Sequence, residues 1–342
     1  MTPESTPMTI TSILSRALLA AAVLGSGQAY AASHLKQVSF GTNWRAQAEH
    51  GGFYQALADG TYEACGLDVD IVQGGPQVNN RALMLAGKID FYMGGDLLLA
   101  FAAVEQDIPL KVVAAMFQKH PQAILAHPGK AETFEDLKDL TVLVADGGFN
   151  SYYQWMISEY GFSADQREPY TFNPAPFVAD EGKAMQAYVS SEPFAIQKEA
   201  GWTPEVFLIA DAGYATYATT IETMTETIEG DPDAVTCFVE GSIKGWYNYL
   251  YGDPSAGNAL IKQANPDMSD DKIAFAIDTM KERGIVDSGD AETLGIGVVT
   301  LEKVQAFHDQ MVEAGVIESI EDLSQAFDAS FVGKGVGMDL KP

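Results

Sequence analysis

The stretch GTNWRAQAEHGGFYQALADG, residues 41–60, gathers Asn43, Trp44, Glu49, His50, Phe53 and Tyr54 around the glycines Gly51 and Gly52. An imidazole beside a carboxylate has the makings of general acid–base chemistry, because an imidazole changes charge near neutral pH. The spacing argues against that use. In a helix, adjacent residues do not face each other, so Glu49 and His50 make a poor dyad. A hydrogen bond from His50 to a bound molecule, or a role at the start of a helix, fits better. Trp44 stands in a polar loop, where its ring can offer a face to a planar ligand. The glycines would leave room for that ligand.

Three glycine pairs repeat the theme. Gly74-Gly75 follows LDVDIVQ, Gly94-Gly95 follows IDFYM, and Gly147-Gly148 follows TVLVAD. Each lies where a strand should stop and a helix begin, the place where open α/β sheets bind ligands. Asp96, Asn150 and Ser151 follow these pairs and could touch a ligand or cap a helix. Tyr188, Tyr214 and Tyr217 add aromatic groups near strand ends. Glu192, in YVSSEP, carries an acceptor-only carboxylate when ionised, suited to an amino or ring N–H. The expected ligand-binding set is therefore Asn43, Trp44, His50, Gly51, Tyr54, Gly94, Gly95, Asp96, Asn150, Ser151, Tyr188, Glu192, Tyr214 and Tyr217. No residue is expected to be catalytic. Neither GxGxxG nor GxxxxGKS/T occurs, so no nucleotide loop is supported. No CxxC, HExxH or Cys/His cluster occurs, so neither a metal nor a cofactor is expected.

Strand-like and helix-like segments alternate with short loops from residue 36 to about residue 210, the pattern of mostly parallel sheets with helices on both faces. KQVSFGTNW, LDVDIVQGG, IDFYMGG, LKVVAAMF, QAILAHPG, TVLVADGG, EPYTFNP and VFLIAD read as strands. GGFYQALADGTYEACG, QVNNRALMLAGK, DLLLAFAAVEQD, TFEDLKDL with Thr133 at its N-cap, SYYQWMISEYG, FVADEGKAMQAY and FAIQKEAG read as helices, and YVSSEP as a short strand. Beyond Thr220 the periodicity is helical. The expected fold is α/β with two lobes: residues 32–118 with 221–342, and residues 119–220. MFQKHPQA (116–123) and DAGYATYATT (211–220) are the two crossovers, which suits hinge closure around a ligand.

Composition limits the partners. With 47% hydrophobic residues and a net charge of −27 over 342 residues, the chain is a globular acidic protein. That charge argues against nucleic acid and anionic membrane surfaces. Residues 1–31 read as an export signal: Arg16, an apolar run from Ala17 to Leu24 too short to span a bilayer, and the small-residue site Ala29-Tyr30-Ala31. The mature chain is expected to be soluble, periplasmic and monomeric. Cys65 and Cys237 could bridge in an oxidising compartment or stay free and half-buried.

The motif around His50 resembles the periplasmic solute-binding proteins of the thiamine-pyrimidine-synthase-like branch, related to nitrate, sulfonate and taurine binding proteins. The resemblance rests on Trp44, His50 with Gly52 and Tyr54, Gly60 to Tyr62, Gly66 to Val69 and Gly74-Gly75. AGKIDFYMGGD and DLKDLTVLVADGG continue it, over about residues 37–250. It implies a Venus-flytrap protein that delivers a small solute to an ABC permease. It also implies an aminopyrimidine-like ring held against aromatics, with Trp44, Tyr54, Tyr188 and Glu192 in those parts. The fungal relative is an enzyme of pyrimidine synthesis, but its cysteine-rich motif is absent here. Arg45 and Arg81 keep a sulfonate-type solute as the alternative.

Overall fold

The computed structural model describes residues 35–76 and 78–342. The expected export signal, residues 1–31, lies outside the described residues. Among the described residues, ten strands form two five-stranded sheets. The first sheet has the order β2-β1-β3-β10-β4, with β1 Lys36–Gly41, β2 Leu67–Val72, β3 Phe91–Asp96, β4 Leu110–Phe117 and β10 Ala218–Met224. The second has the order β7-β6-β8-β5-β9, with β5 Gln122–Ala126, β6 Thr141–Val144, β7 Arg167–Pro169, β8 Lys183–Tyr188 and β9 Glu205–Leu208. The chain crosses between sheets twice, after β4 and before β10.

Both sheets are mixed, where mostly parallel ones were expected. β1 pairs parallel with β2 and β3, and β6 with β7 and β8. β10 runs antiparallel to β3 and β4, and β5 antiparallel to β8 and β9. The crossovers explain this. A strand that arrives from the other sheet lies between two strands of its new sheet, β3 and β4 or β8 and β9, and runs against both. β5 and β10 are those strands.

Several segments differ from their sequence reading for local reasons. FVADEGKAMQAY suggested one helix, but the helix stops at Ala175–Val178 and Lys183–Tyr188 is strand β8. Asp180 breaks the helix: its side chain accepts from the Gly182 N–H at 2.9 Å, making a turn. YVSSEP is the end of β8 and the start of the helix Glu192–Ala200, rather than a strand. ATTIETM, left out of the strand reading, is β10; six of its seven residues are buried, so a two-sided core strand showed no alternation. Thr133 does not cap the turn Glu135–Asp139; Asp136 instead accepts from the Glu132 and Thr133 N–H groups. GGFYQALADGTYEACG splits at Gly60, whose φ of 72° is left-handed, into helices Gly51–Ala58 and Thr61–Ala64.

The helix Pro232–Tyr251 is the spine of the first lobe. Asp231 caps it through the Ala234 N–H at 2.9 Å. Its inward face carries Val235, Phe238, Val239, Ile243, Trp246 and Tyr249, all nearly fully buried. It lies so close to the helix Gly51–Ala58 that a Cβ on Gly245 would sit 2.1 Å from the Gly52 carbonyl oxygen. A Cβ on Gly52 would strike the Trp246 ring at 2.2 Å. The glycine pair therefore serves helix contact, not room for a ligand.

Cys65 and Cys237 form a disulfide, with Cα atoms 5.8 Å apart and a sequence separation of 172. It ties the helix Thr61–Ala64 to the spine helix beside the stacked rings of Tyr62 and Phe238. A crosslink closing so long a loop restricts the unfolded chain strongly. Replacing both cysteines with serine is expected to lower unfolding free energy by about 2–5 kcal/mol, read as a drop in denaturation midpoint. An unchanged midpoint would mean that the bridge constrains nothing.

Candidate functional site

A cavity of about 350 Å³ opens between the two sheets. Ligand pockets run from roughly 300 to 1,000 Å³, so this one suits a single small molecule. The carboxyl ends of the parallel strands meet here. Asn43 follows β1, Met93 lies in β3, Gly147 follows β6, Tyr170 follows β7 and Tyr188 ends β8. The antiparallel strands bring their opposite ends: Gln122 starts β5 and Thr219 lies at the start of β10.

The turn after β1 forms one wall and is pinned by side chains. Thr42 Oγ1 donates to the Trp44 carbonyl at 2.7 Å and accepts from the Gly74 N–H at 3.1 Å. The Gly74 Cα packs so tightly that an added Cβ would meet the Thr42 carbonyl at 2.4 Å. Gln73 accepts from the Ala46 N–H at 2.8 Å, and Asn265 donates to the Ala46 carbonyl at 2.7 Å. Trp44 is thus held over the cavity, and its ring lies 4.7 Å from Phe172 of the second lobe, inclined by 47°. Phe172 is 48% exposed and has a φ of 61°. Asp107, Phe172 and Thr219 are the described non-glycine residues with positive φ, and the latter two line the cavity. Such strain persists only where the surroundings enforce it, and it gathers at sites of function.

Glu49 and His50 both line the cavity. They belong to the 3₁₀ turn Ala48–His50 that leads into the helix Gly51–Ala58, and both reach the same cavity from adjacent positions. His50 is almost fully buried, and burial holds its imidazole neutral, with a pKa down to about 3. Its Nδ1 has no protein partner. Glu49 accepts from the Ser190 hydroxyl of the second lobe. Burial raises the Glu49 carboxyl above its usual range, against that hydrogen bond.

Glu192 enters from the first turn of the helix Glu192–Ala200 and accepts from the Tyr188 N–H at 2.7 Å. Burial pushes its carboxyl up to about 7, against the pull of that N–H, and the Glu49 charge adds to the rise. Amides complete the polar lining. Gln122 donates to the Ala187 carbonyl at 2.9 Å, and Gln186 accepts from the Ala145 N–H at 2.6 Å. Among the described residues that line the cavity, none is Lys or Arg.

Of the residues expected from sequence, Asn43, Trp44, His50, Tyr188 and Glu192 come together here. The others lie elsewhere. A Cβ at Gly51 would overlap the Tyr249 ring, and one at Gly94 would meet Thr220 and Glu222 of β10. Gly95 is half-buried and does not line the cavity. Tyr54 packs in the first lobe's core. Asp96 caps the helix Leu97–Glu105 through the Leu98 N–H at 3.0 Å and accepts from the Tyr214 hydroxyl at 3.2 Å. Tyr214 and Tyr217 are fully buried in the crossover. Asn150 is exposed, and the Ser151 hydroxyl donates to the Gly147 carbonyl at 2.9 Å. Gln47, Gln122, Tyr170, Phe172 and Gln186 were missed. Tyr170 and Phe172 sit in EPYTFNP, read as plain strand; their alternation beside a predicted strand end was the available signal.

This is the architecture of a two-lobed periplasmic binding protein. Residues 47–256 match the NMT1/THI5-like family, and the chain belongs to that family. No curated protein matches it in sequence. Solved structures share the fold at low identity. The aliphatic sulphonate binding protein SsuA from Escherichia coli superposes with a TM-score of 0.60 at 15% identity, over 86% of this chain and 92% of that one. The nitrate-binding protein NrtA from Synechocystis PCC 6803 gives 0.59 at 11%, over 87% of each. The desulfurization enzyme DSZB gives 0.55 at 10%, over 86% and 97%. The fold thus serves capture and catalysis alike, and the lining must decide.

The Glu192 carboxyl ionises at about 7 when folded, against 4.5 for the free group. Between those values the unfolded chain has released a proton that the folded one keeps, so this group's contribution to stability falls as pH rises. Urea denaturation of ligand-free protein is expected to show the variant Glu192→Gln gaining on the parent as pH rises from 4.5 to about 7. The gain is up to about 1.4 kcal/mol per pH unit, the most that one proton allows. A difference independent of pH would refute the protonated carboxyl.

Proposed function

We propose that the chain is the extracytoplasmic binding subunit of an ABC importer and captures a small heteroaromatic solute of the thiamine-pyrimidine precursor class. The carrying observation is the lining itself: Trp44, Tyr170, Phe172 and Tyr188 with the carboxyls of Glu49 and Glu192, and no cationic side chain. Rings of that kind gain from stacking, at roughly 0.5–1.5 kcal/mol per aromatic pair beyond area burial. Carboxylates accept from amino and ring N–H groups. The volume suits one ring with short substituents.

Capture joins the lobes. The closed cleft brings Trp44 against Phe172 and Ser190 against Glu49. Release requires those contacts to part, with the two crossovers as hinges. The permease is the macromolecular partner on this reading, and the protein works as a monomer in the periplasm. Among the described residues, no helix is long and apolar enough to cross a membrane.

The sulfonate or nitrate reading finds less support. Such anions need cationic or N–H-rich walls. Arg81 is engaged by Glu222 at 2.9 Å and by the Leu99 carbonyl at 2.7 Å. Arg45 points to Asp267 at 3.8 Å and is largely exposed. An enzymatic reading would ask His50 to accept a proton, which its burial resists.

A thermal-shift series tests the assignment. Aminopyrimidine precursors are expected to raise the melting temperature, reaching about 2.7 kcal/mol of added stability at a hundredfold excess over Kd. Trp44→Ala should weaken that binding by about 1 kcal/mol or more. Stabilisation by taurine, an alkanesulfonate or nitrate instead would overturn the proposal. Conversion of the bound molecule on incubation would mark an enzyme.

A further inference from the structure

Two carboxyl groups in one cavity without a neighbouring cation are the least expected feature of the site. Burying a charge costs free energy unless a partner compensates it. Glu49 comes from the first lobe and Glu192 from the second, and both face the same space. Their protein partners are few: the Ser190 hydroxyl for Glu49, and the Tyr188 N–H for Glu192. The titratable groups around them add little positive charge. Tyr188, Tyr170 and Tyr249 are phenols that burial keeps neutral. His50 is neutral as well. Lys272, on the helix Asp270–Glu282, is the cation whose charge reaches both carboxyls, and it does not line the cavity. Burial outweighs its effect on each.

A neutral ring would leave this arrangement uncompensated. Any hydrogen bonds it donated would have to serve carboxyls that resist ionising. A ring that carries positive charge would pair with both at once, in a space where water screens little. The aromatic walls favour the same ligand, because their faces attract cations. We propose that Glu49 and Glu192 together select a planar cation, an amidinium-type ring in which an amino group and a ring N–H share the charge, and that its arrival drives a proton from the pocket into solvent. The inference rests on the heteroaromatic reading above and specifies the charge of the solute. It makes Glu49 a specificity residue equal to Glu192.

The probes are 4-aminopyridinium, a planar cation at neutral pH, its neutral isostere 4-pyridone, and n-butylammonium, a cation without a ring. Calorimetry at neutral pH in buffers of different ionisation enthalpy reads both affinity and protons released. The planar cation is expected to bind the parent protein at least about tenfold tighter than 4-pyridone, with net proton release, the scale set by pairing a buried charge. Glu49→Gln and Glu192→Gln should each remove most of that preference, read as the ratio of planar-cation to 4-pyridone affinity in each variant. Circular dichroism and a cooperative thermal transition of each variant check that it is folded.

Equal binding of the two rings, or a preference that survives Glu49→Gln, overturns the charge selection and leaves the heteroaromatic pocket standing. Butylammonium binding as tightly as the planar cation sinks the aromatic reading and leaves the carboxylate pair. Failure of every probe to bind overturns both.

Discussion

The cleft depends on holding two acidic groups, one almost fully buried and one half-buried, in a space shared by both lobes. Glu49 belongs to the turn that leads into the helix Gly51–Ala58, and Glu192 opens the helix Glu192–Ala200. Glu49 is almost fully buried and Glu192 half-buried between the two sheets. The Ser190–Glu49 hydrogen bond spans the gap, so the electrostatics of the site and the closure of the cleft are one event. What fills the cavity therefore sets how favourable closure is, and closure sets how strongly the cavity reads charge.

Geometry behind the walls fixes this arrangement. The turn carrying Trp44 is fastened by Thr42, Gln73, Gly74 and Asn265. Few of these touch the cavity, yet they decide where the indole stands. On the opposite lobe, Phe172 reaches Trp44 through a left-handed backbone that an L residue rarely adopts. The first wall is thus pinned, and backbone strain sits on both sides of the cavity, at Phe172 and at Thr219 of β10. A fold shared with SsuA, NrtA and DSZB says little about chemistry. The difference lies in side chains such as Arg81, which the fold turns away from the cavity and onto Glu222.

Much of the architecture was legible in sequence because alternation of strands and helices is a local signal. β1 to β6 were read where they lie, since each is bounded by turn residues, while β7 shares only Glu168 and Pro169 with the segment EPYTFNP read as strand. β8 was missed because its residues were read as the continuation of a helix that Asp180 breaks, and β10 because a strand buried on both faces shows no period of two. The site was legible in part. Trp44, His50 and Glu192 are marked by odd chemistry for their places. Gly51, Gly94 and Asp96 carried the same kinds of residue but serve helix contact, strand contact and a cap. Nothing in a linear pattern separates a glycine that meets a ligand from one that meets Tyr249. Glu49 was set aside as a poor partner for His50, and adjacency in sequence does not reveal that both residues line one cavity.

The two crossings of the chain also impose an order on its birth. The strands of the second sheet, β5 to β9, are contiguous, so that half can close its hydrogen bonds as soon as Leu208 has emerged. The first sheet must wait for β10, its fourth strand in spatial order, and its spine helix must wait longer still. During that interval β1 to β4 have no β10 between β3 and β4, and Cys65 has no partner until Cys237 follows. A protein built this way matures from its inserted half outward, and the half that carries Trp44 and Glu49 is the last to become solid.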